Sequence, residues 1–272
     1  MNFEKKKMSL VAKISASIMV LGVGLMGVLP SVVPNIGMVN AEKIKINNRN
    51  SNIFYCSQTK TLTVPTIRNN DVLDIDDNIK SEVENIVISE QTTIIPAYAF
   101  ENCAQLTNIT IPSNVTSIGC YAFYGCSKLN NIIIPDNVTS IRKYAFDGCR
   151  GLTSITIPTS VTSIGDGAFY NCSKLNNIII PDSVTSIGSF AFYNCSKLNN
   201  IIIPNSVTSI WNCAFFGCSN LTDIKLPNSV PIRMIKNALA DFDRCSNFNN
   251  NKTHRYNAQP PDGEILQQSL LG

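Results

Sequence analysis

The chain has 272 residues, 44% of them hydrophobic and only 15% charged, with a formal net charge of +3, one histidine and ten cysteines. An ordinary soluble domain carries about 25% charged residues, and a nucleic-acid binder needs clustered Lys and Arg to neutralise phosphates; no five like charges run together here, which argues against such a partner. The cysteines are too dilute for a small disulfide scaffold, and a single histidine leaves little room for His-based metal sites or acid–base catalysis.

Residues 1–41 read as a secretory signal. Lys5, Lys6, Lys7 and Lys13 precede a charge-free apolar run from Ile14 to Leu29, and Val39-Asn40-Ala41 supplies small residues for a cleavage site. The competing reading, a retained anchor, suits the run less well. It is short for a membrane span of about 20 residues, and Pro30 and Pro34 interrupt its extension. A membrane therefore enters only through this segment if it is uncleaved. Removing it leaves 18 basic and 18 acidic side chains, so the excess of positive charge belongs to the export signal.

Residues 42–82 are expected to form an amino-terminal cap. Ile53-Phe54-Tyr55-Cys56 and Thr61-Leu62-Thr63-Val64 flank a polar turn and predict a β-hairpin. Asp71, Asp74, Asp76 and Asp77 alternate in a calcium-loop manner, but the glycine and closing glutamate of such a loop are missing, and a solvated capping segment is the better reading.

From residue 83 to 246 the chain repeats every 23 residues. Cysteines fall at Cys103, Cys126, Cys149, Cys172, Cys195 and Cys218, each three residues after a phenylalanine that follows an alanine, while leucines recur from Leu106 to Leu221 and prolines from Pro112 to Pro227. The unit is L-x-x-I-x-I-P-x-x-V-T-S-I-x-x-x-A-F-x-x-C-x-x, preceded by a divergent copy at 83–105. L-x-x-I-x-I predicts a short strand, which the proline ends because it has no N–H to donate. V-T-S-I is a second extended piece, and x-x-x-A-F-x-x-C suits a turn or one helical coil. One unit cannot cover its own apolar side chains, so the units must stack. The expected fold is a β-rich repeat solenoid, capped at both ends, with a parallel sheet of short strands along one face. Near its end, Met234 to Phe242 reads as a helix and Phe242-x-x-Cys245 as a degenerate last coil; 247–272 reads as a flexible tail.

This unit resembles the BspA-type class of leucine-rich repeats over roughly residues 83–246, and the hairpin-bearing segment before it is similar to that of family members. The resemblance implies an exported or surface-exposed bacterial protein, and, for several members, adhesion to host matrix or plasma proteins such as fibronectin and fibrinogen.

Catalytic chemistry has little to stand on. His254 lies in the tail, away from the cysteines, and there is no Gly-rich phosphate loop, H-E-x-x-H or C-x-x-C. Asp136, Asp147, Asp166 and Asp182 sit at variable repeat positions and read as a solvated face. No catalytic residue, metal ligand or cofactor is expected. The ladder cysteines admit three readings: disulfides, metal ligands or packed thiols. Equivalent side chains in a solenoid point the same way, whereas a disulfide needs Cβ atoms about 3.8 Å apart, so packed thiols are favoured. Cys56, Cys120, Cys213 and Cys245 stay unassigned. Triplets such as Asn114-Val115-Thr116 and Asn137-Val138-Thr139 recur only because the repeat does.

The candidate binding surface is the strand face. Flanking the inward Ile residues, one outward row reads Asn108, Asn131, Ser154, Asn177, Asn200 and Asp223, and the next reads Thr110, Ile133, Thr156, Ile179, Ile202 and Lys225. An Asn row beside an interrupted Ile row can both orient and bury a protein ligand. The competing reading is that stacked Asn and Ile only stiffen the sheet. Adhesion to an extracellular matrix or plasma glycoprotein is the expected function, with a self-associating surface component as the alternative.

Overall fold

A computed structural model of the chain describes residues 41–45, 52–67, 71–227 and 229–231. The expected signal segment up to residue 40, the helix at 234–242, Cys245, His254 and the tail lie outside the described residues.

The capping strands are β1 (Ala41–Lys45), β2 (Asn52–Cys56) and β3 (Thr61–Val64). β2 and β3 form the expected hairpin, with Phe54 opposite Thr63 and Cys56 opposite Thr61, and β1 adds antiparallel to β2. β3 then changes sense and pairs in parallel with β4 (Asn85–Ile88), so the cap is continuous with the first coil. Between them lies the single short helix among the described residues, α1 (Asp77–Glu82). The Asp76 side chain caps it by accepting the Asn78 amide at 2.8 Å, and Ile79 is buried beneath it. One of the four alternating acids is thus a helix cap.

From β4 onward each coil contributes twice to parallel pairing. The first line, on L-x-x-I-x-I, runs through β4, β6 (Asn108–Thr110), β9 (Ser154–Thr156), β11 (Asn177–Ile179), β13 (Asn200–Ile202) and β15 (Asp223–Lys225). The second, on V-T-S-I, comprises β5 (Ile94–Ile95), β7 (Ser117–Ile118), β8 (Ser140–Ile141), β10 (Ser163–Ile164), β12 (Ser186–Ile187) and β14 (Ser209–Ile210). The fold is the expected β-solenoid with little helix, and the second extended piece of each unit forms a sheet of its own. The second line is the unbroken one, six strands in order. The first is interrupted: Asn131–Ile133 makes only an isolated bridge from Ile133 to Thr156, and β11 does not pair with β13. The threonine before each Ser-Ile pair also links the coils. Its amide donates to the threonine carbonyl one coil back (Thr116 to Thr93 at 2.8 Å, Thr185 to Thr162 at 2.9 Å), and its hydroxyl donates to the same oxygen. Bonds entering the first line stretch to 3.3 Å from Thr153 to Asn130 and 3.4 Å from Asn199 to Asn176.

The A-F-x-x-C segment forms turns, and these also stack. The amides of Phe100, Phe123, Phe146, Phe169 and Phe192 donate to alanine carbonyls one coil ahead at 2.8–2.9 Å. Two residues after each phenylalanine the backbone is left-handed, at Asn102, Gly125, Gly148, Asn171, Asn194 and Gly217, and these are the residue types that tolerate such φ values. Inside the coils the repeated Leu, Ile, Val, Ala, Phe and Cys side chains form one core. The phenylalanines build a column through it, with ring centroids 5.3–5.6 Å apart from Phe100 to Phe215.

Candidate functional site

The alternation of the short strands sends their middle residue inward and the flanking ones to solvent. Ile155, Ile178 and Ile201 are buried, while every described side chain of the two expected rows is exposed: Asn108, Asn131, Ser154, Asn177 and Asn200 in one, Thr110, Ile133, Thr156, Ile179, Ile202 and Lys225 in the other. The two rows are in register. Asn108 stands opposite Asn85, Ser154 opposite Asn177, Asn200 opposite Asp223, Thr156 opposite Ile179 and Ile202 opposite Lys225. Ile133, Ile179 and Ile202 are 77%, 68% and 62% exposed, a run of open isoleucines on one face of the coil.

Hydrogen bonding weighs against a purely stiffening role. Asn108 Nδ2 donates to Asn85 Oδ1 at 3.0 Å, and among the described residues Asn131, Asn177 and Asn200 make no such side-chain bond. Asparagines that serve the scaffold do: Asn137 Nδ2 donates to the Ser113 carbonyl at 2.8 Å and Asn194 Nδ2 to Asn171 Oδ1 at 3.1 Å. Asn131, Asn177 and Asn200 therefore keep their amide atoms for solvent or a ligand. Sequence reasoning missed that the rows begin earlier. Thr61 and Asn85 continue one row, and Thr63 and Val87 the other, through the parallel pairing of β3 with β4. Asn85 and Val87 keep the 23-residue spacing, whereas the spacing of the cap hides Thr61 and Thr63.

A second surface feature was also missed. Tyr98, Tyr121, Tyr144, Tyr170, Tyr193 and Phe216 form a ridge on the turns, with successive ring centroids 5.0, 5.0, 6.1, 4.5 and 4.7 Å apart. The ridge shifts repeat position after Tyr144, where Gly167 leaves room for the Tyr144 ring, so no single column of the repeat shows it. Its rings stack on one another except at Tyr144 and Tyr170, which meet edge to face at 67°.

The six ladder cysteines are buried thiols. None of the nine described is in a disulfide. Five of the six ladder thiols donate to a phenylalanine carbonyl of the preceding coil, from Cys126 to Phe100 at 3.2 Å through Cys218 to Phe192 at 3.1 Å. Burial pushes the Cys103 thiol up to about 12 and holds Cys126, Cys149, Cys172 and Cys195 well above the usual range, which suppresses the reactive thiolate. Asp147 is the one buried acid among the described residues; burial raises its carboxyl to about 6 against the pull of Arg150. Among the described residues no three His, Cys, Asp or Glu side chains gather as metal ligands.

The coil and its repeat have counterparts in known proteins. The BspA type leucine rich repeat region matches in six copies, over residues 75–165 and 139–256. The chain belongs to this family. A leucine-rich repeat protein of Bacteroides ovatus is 30% identical over 70% of this chain and 52% of its own, with a TM-score of 0.57. A leucine rich cell surface protein of Faecalibacterium prausnitzii is 31% identical over 68% of this chain and 55% of its own, with a TM-score of 0.52. A leucine-rich repeat protein of T. pallidum is 26% identical over 70% of this chain and 92% of its own, with a TM-score of 0.53. The chain thus spans about half the length of the first two. No curated protein matches it.

Proposed function

We propose that this family member is a non-enzymatic, exported binding protein of the bacterial surface that adheres to matrix or plasma proteins through its strand face. The exposed Ile133, Ile179 and Ile202 row, set beside asparagines that serve no neighbour, carries the reading. Apolar side chains left this open on a rigid scaffold gain most when a partner covers them. A relative named as a cell surface protein supports the location.

Capture on immobilised fibronectin and fibrinogen, run beside light scattering of the protein alone, tests the proposal. Saturable capture on either glycoprotein by a monomeric chain is the expected result. Concentration-dependent self-association with no capture would transfer the face to a structural, self-associating role. Fractionation of the producing cell should place the chain at the surface or in the medium; a cytosolic location would contradict it.

A further inference from the structure

Stacking creates a charged row that no run in the sequence shows. Lys128, Arg150, Lys174 and Lys197 are exposed and occupy four consecutive coils. Arg150 stands at the repeat position of Ser127, one residue before that of Lys128, and Gly151 takes the Lys position. Buried Leu129, Leu152, Leu175 and Leu198 root the row beside the Asn row of the strand face. The turns below it are in register, with the Ser127 hydroxyl donating to the Ala104 carbonyl and Ser196 to the Ser173 carbonyl. None of these four cations takes part in the ion pairs of the described residues, which join Lys60 to Glu84 and Lys80 to Asp77 and Glu101. At about 4.8 Å per coil the row spans roughly 15 Å of like charge with no ion pair among the described residues, and Arg150 feels buried Asp147. Past the Ile row, the far edge of the face carries exposed Asp136 and Asp182 and no cation at the matching positions Ser113, Thr159 and Asn205.

We infer that the strand face takes an extended, acidic segment of another protein, laid along the solenoid with carboxylates towards the basic row and apolar side chains over Ile133, Ile179 and Ile202. This rests on the reading of that face as the binding surface and adds the partner's chemistry. Charge selects the acidic partner and sets its orientation, because the far edge repels what the near edge attracts. The Ile row selects protein over an acidic glycan or nucleic acid, either of which neutralises the cations but leaves the apolar row uncovered. At about 3.3 Å per residue, five extended residues span the row.

Two fluorescein-labelled twelve-residue peptides serve as probes for the whole chain by anisotropy, one alternating Glu with Val and the other Lys with Val. The Glu peptide should bind, at least tenfold more tightly than the Lys peptide, and weaken at least fivefold between 50 and 300 mM salt. The combined Lys128→Glu, Arg150→Glu, Lys174→Glu and Lys197→Glu variant should reverse the preference, and the same four sites changed to Gln should abolish the salt dependence. Equal binding of the Glu peptide by wild type and the reversed variant overturns the inference, as does no binding of that peptide. Hyaluronan oligosaccharides that bind where the Glu peptide does not overturn it in favour of a glycan. Ile133→Ser, Ile179→Ser and Ile202→Ser together should lose the Glu peptide. If they keep it while the charge reversal still switches preference, the apolar reading of the face fails and the basic row stands.

Discussion

Phe146 is fully buried at the middle of the aromatic column, with Phe123 at 5.3 Å and 2° on one side and Phe169 at 5.6 Å and 4° on the other. Phe100, equally buried, stacks on Phe123 alone, at 5.6 Å and 31°. Truncation of a core phenylalanine to alanine costs about 3–5 kcal/mol through lost transfer and the cavity left behind. An aromatic pair adds about 0.5–1.5 kcal/mol beyond area burial. Phe146→Ala should therefore exceed Phe100→Ala by roughly 0.5–1.5 kcal/mol, one ring contact, and Phe146→Leu, which keeps most of the volume, should still lose about 1–3 kcal/mol from two contacts. Urea unfolding followed by circular dichroism measures the difference, and fluorescence of Trp211, the only tryptophan, reports the distal coils separately. Because each coil is stabilised only by its neighbours, both probes should shift together. Equal losses at Phe146 and Phe100 would refute the stacking contribution. A Trp211 transition left unmoved by Phe146→Ala would refute cooperation across the array.

Iodoacetamide should leave the six ladder cysteines unmodified in the native protein and label all six after unfolding without reductant; peptide mass mapping that finds any of them blocked would replace packed thiols with disulfides. Asp147 binds its proton more tightly folded than unfolded, so its ionisation opposes folding above about pH 6 and ceases to do so below about pH 4. Asp147→Asn should stabilise the protein at pH 7 by about 1–3 kcal/mol and gain nothing at pH 3.5; thermal melts at both values check the sign, and a variant less stable at pH 7 contradicts it. Asn171→Val places a β-branched residue at φ 55° and removes the acceptor for Asn194, and should cost at least about 1–2 kcal/mol; a melting temperature unchanged from wild type would show that the left-handed turn is not required.

The solenoid could be read from the sequence because its determinants are local and repeated. A proline that cannot donate, a β-branched pair, and a buried Phe and Cys at constant spacing impose the same coil each time. The outward strand rows came from the same alternation, and the exposed Ile133, Ile179 and Ile202 stand where the spacing put them. What the sequence did not show depends on stacking. The unbroken sheet lies on the Ser-Ile pairs, and the threonine bonds that run from coil to coil have no signature inside a single unit. The Tyr ridge changes column at Gly167, and the basic row changes column at Arg150, so a search by fixed repeat position passes over both. The start of the strand rows at Thr61 escapes for another reason: β3 joins the sheet from a hairpin that does not obey the repeat.

We propose that the strand face, rather than the turn ridge, is where this solenoid meets its partner. Surface plasmon resonance on the captured glycoprotein should compare wild type with the Ile133→Ser, Ile179→Ser and Ile202→Ser variant and with a Tyr98→Ser and Tyr121→Ser control. Each buried isoleucine contributes about 1.5–3 kcal/mol, and tenfold in affinity is about 1.4 kcal/mol, so the isoleucine variant should bind at least tenfold more weakly while the tyrosine control stays within twofold. Undiminished binding by a folded isoleucine variant, or loss confined to the tyrosine control, would contradict the account.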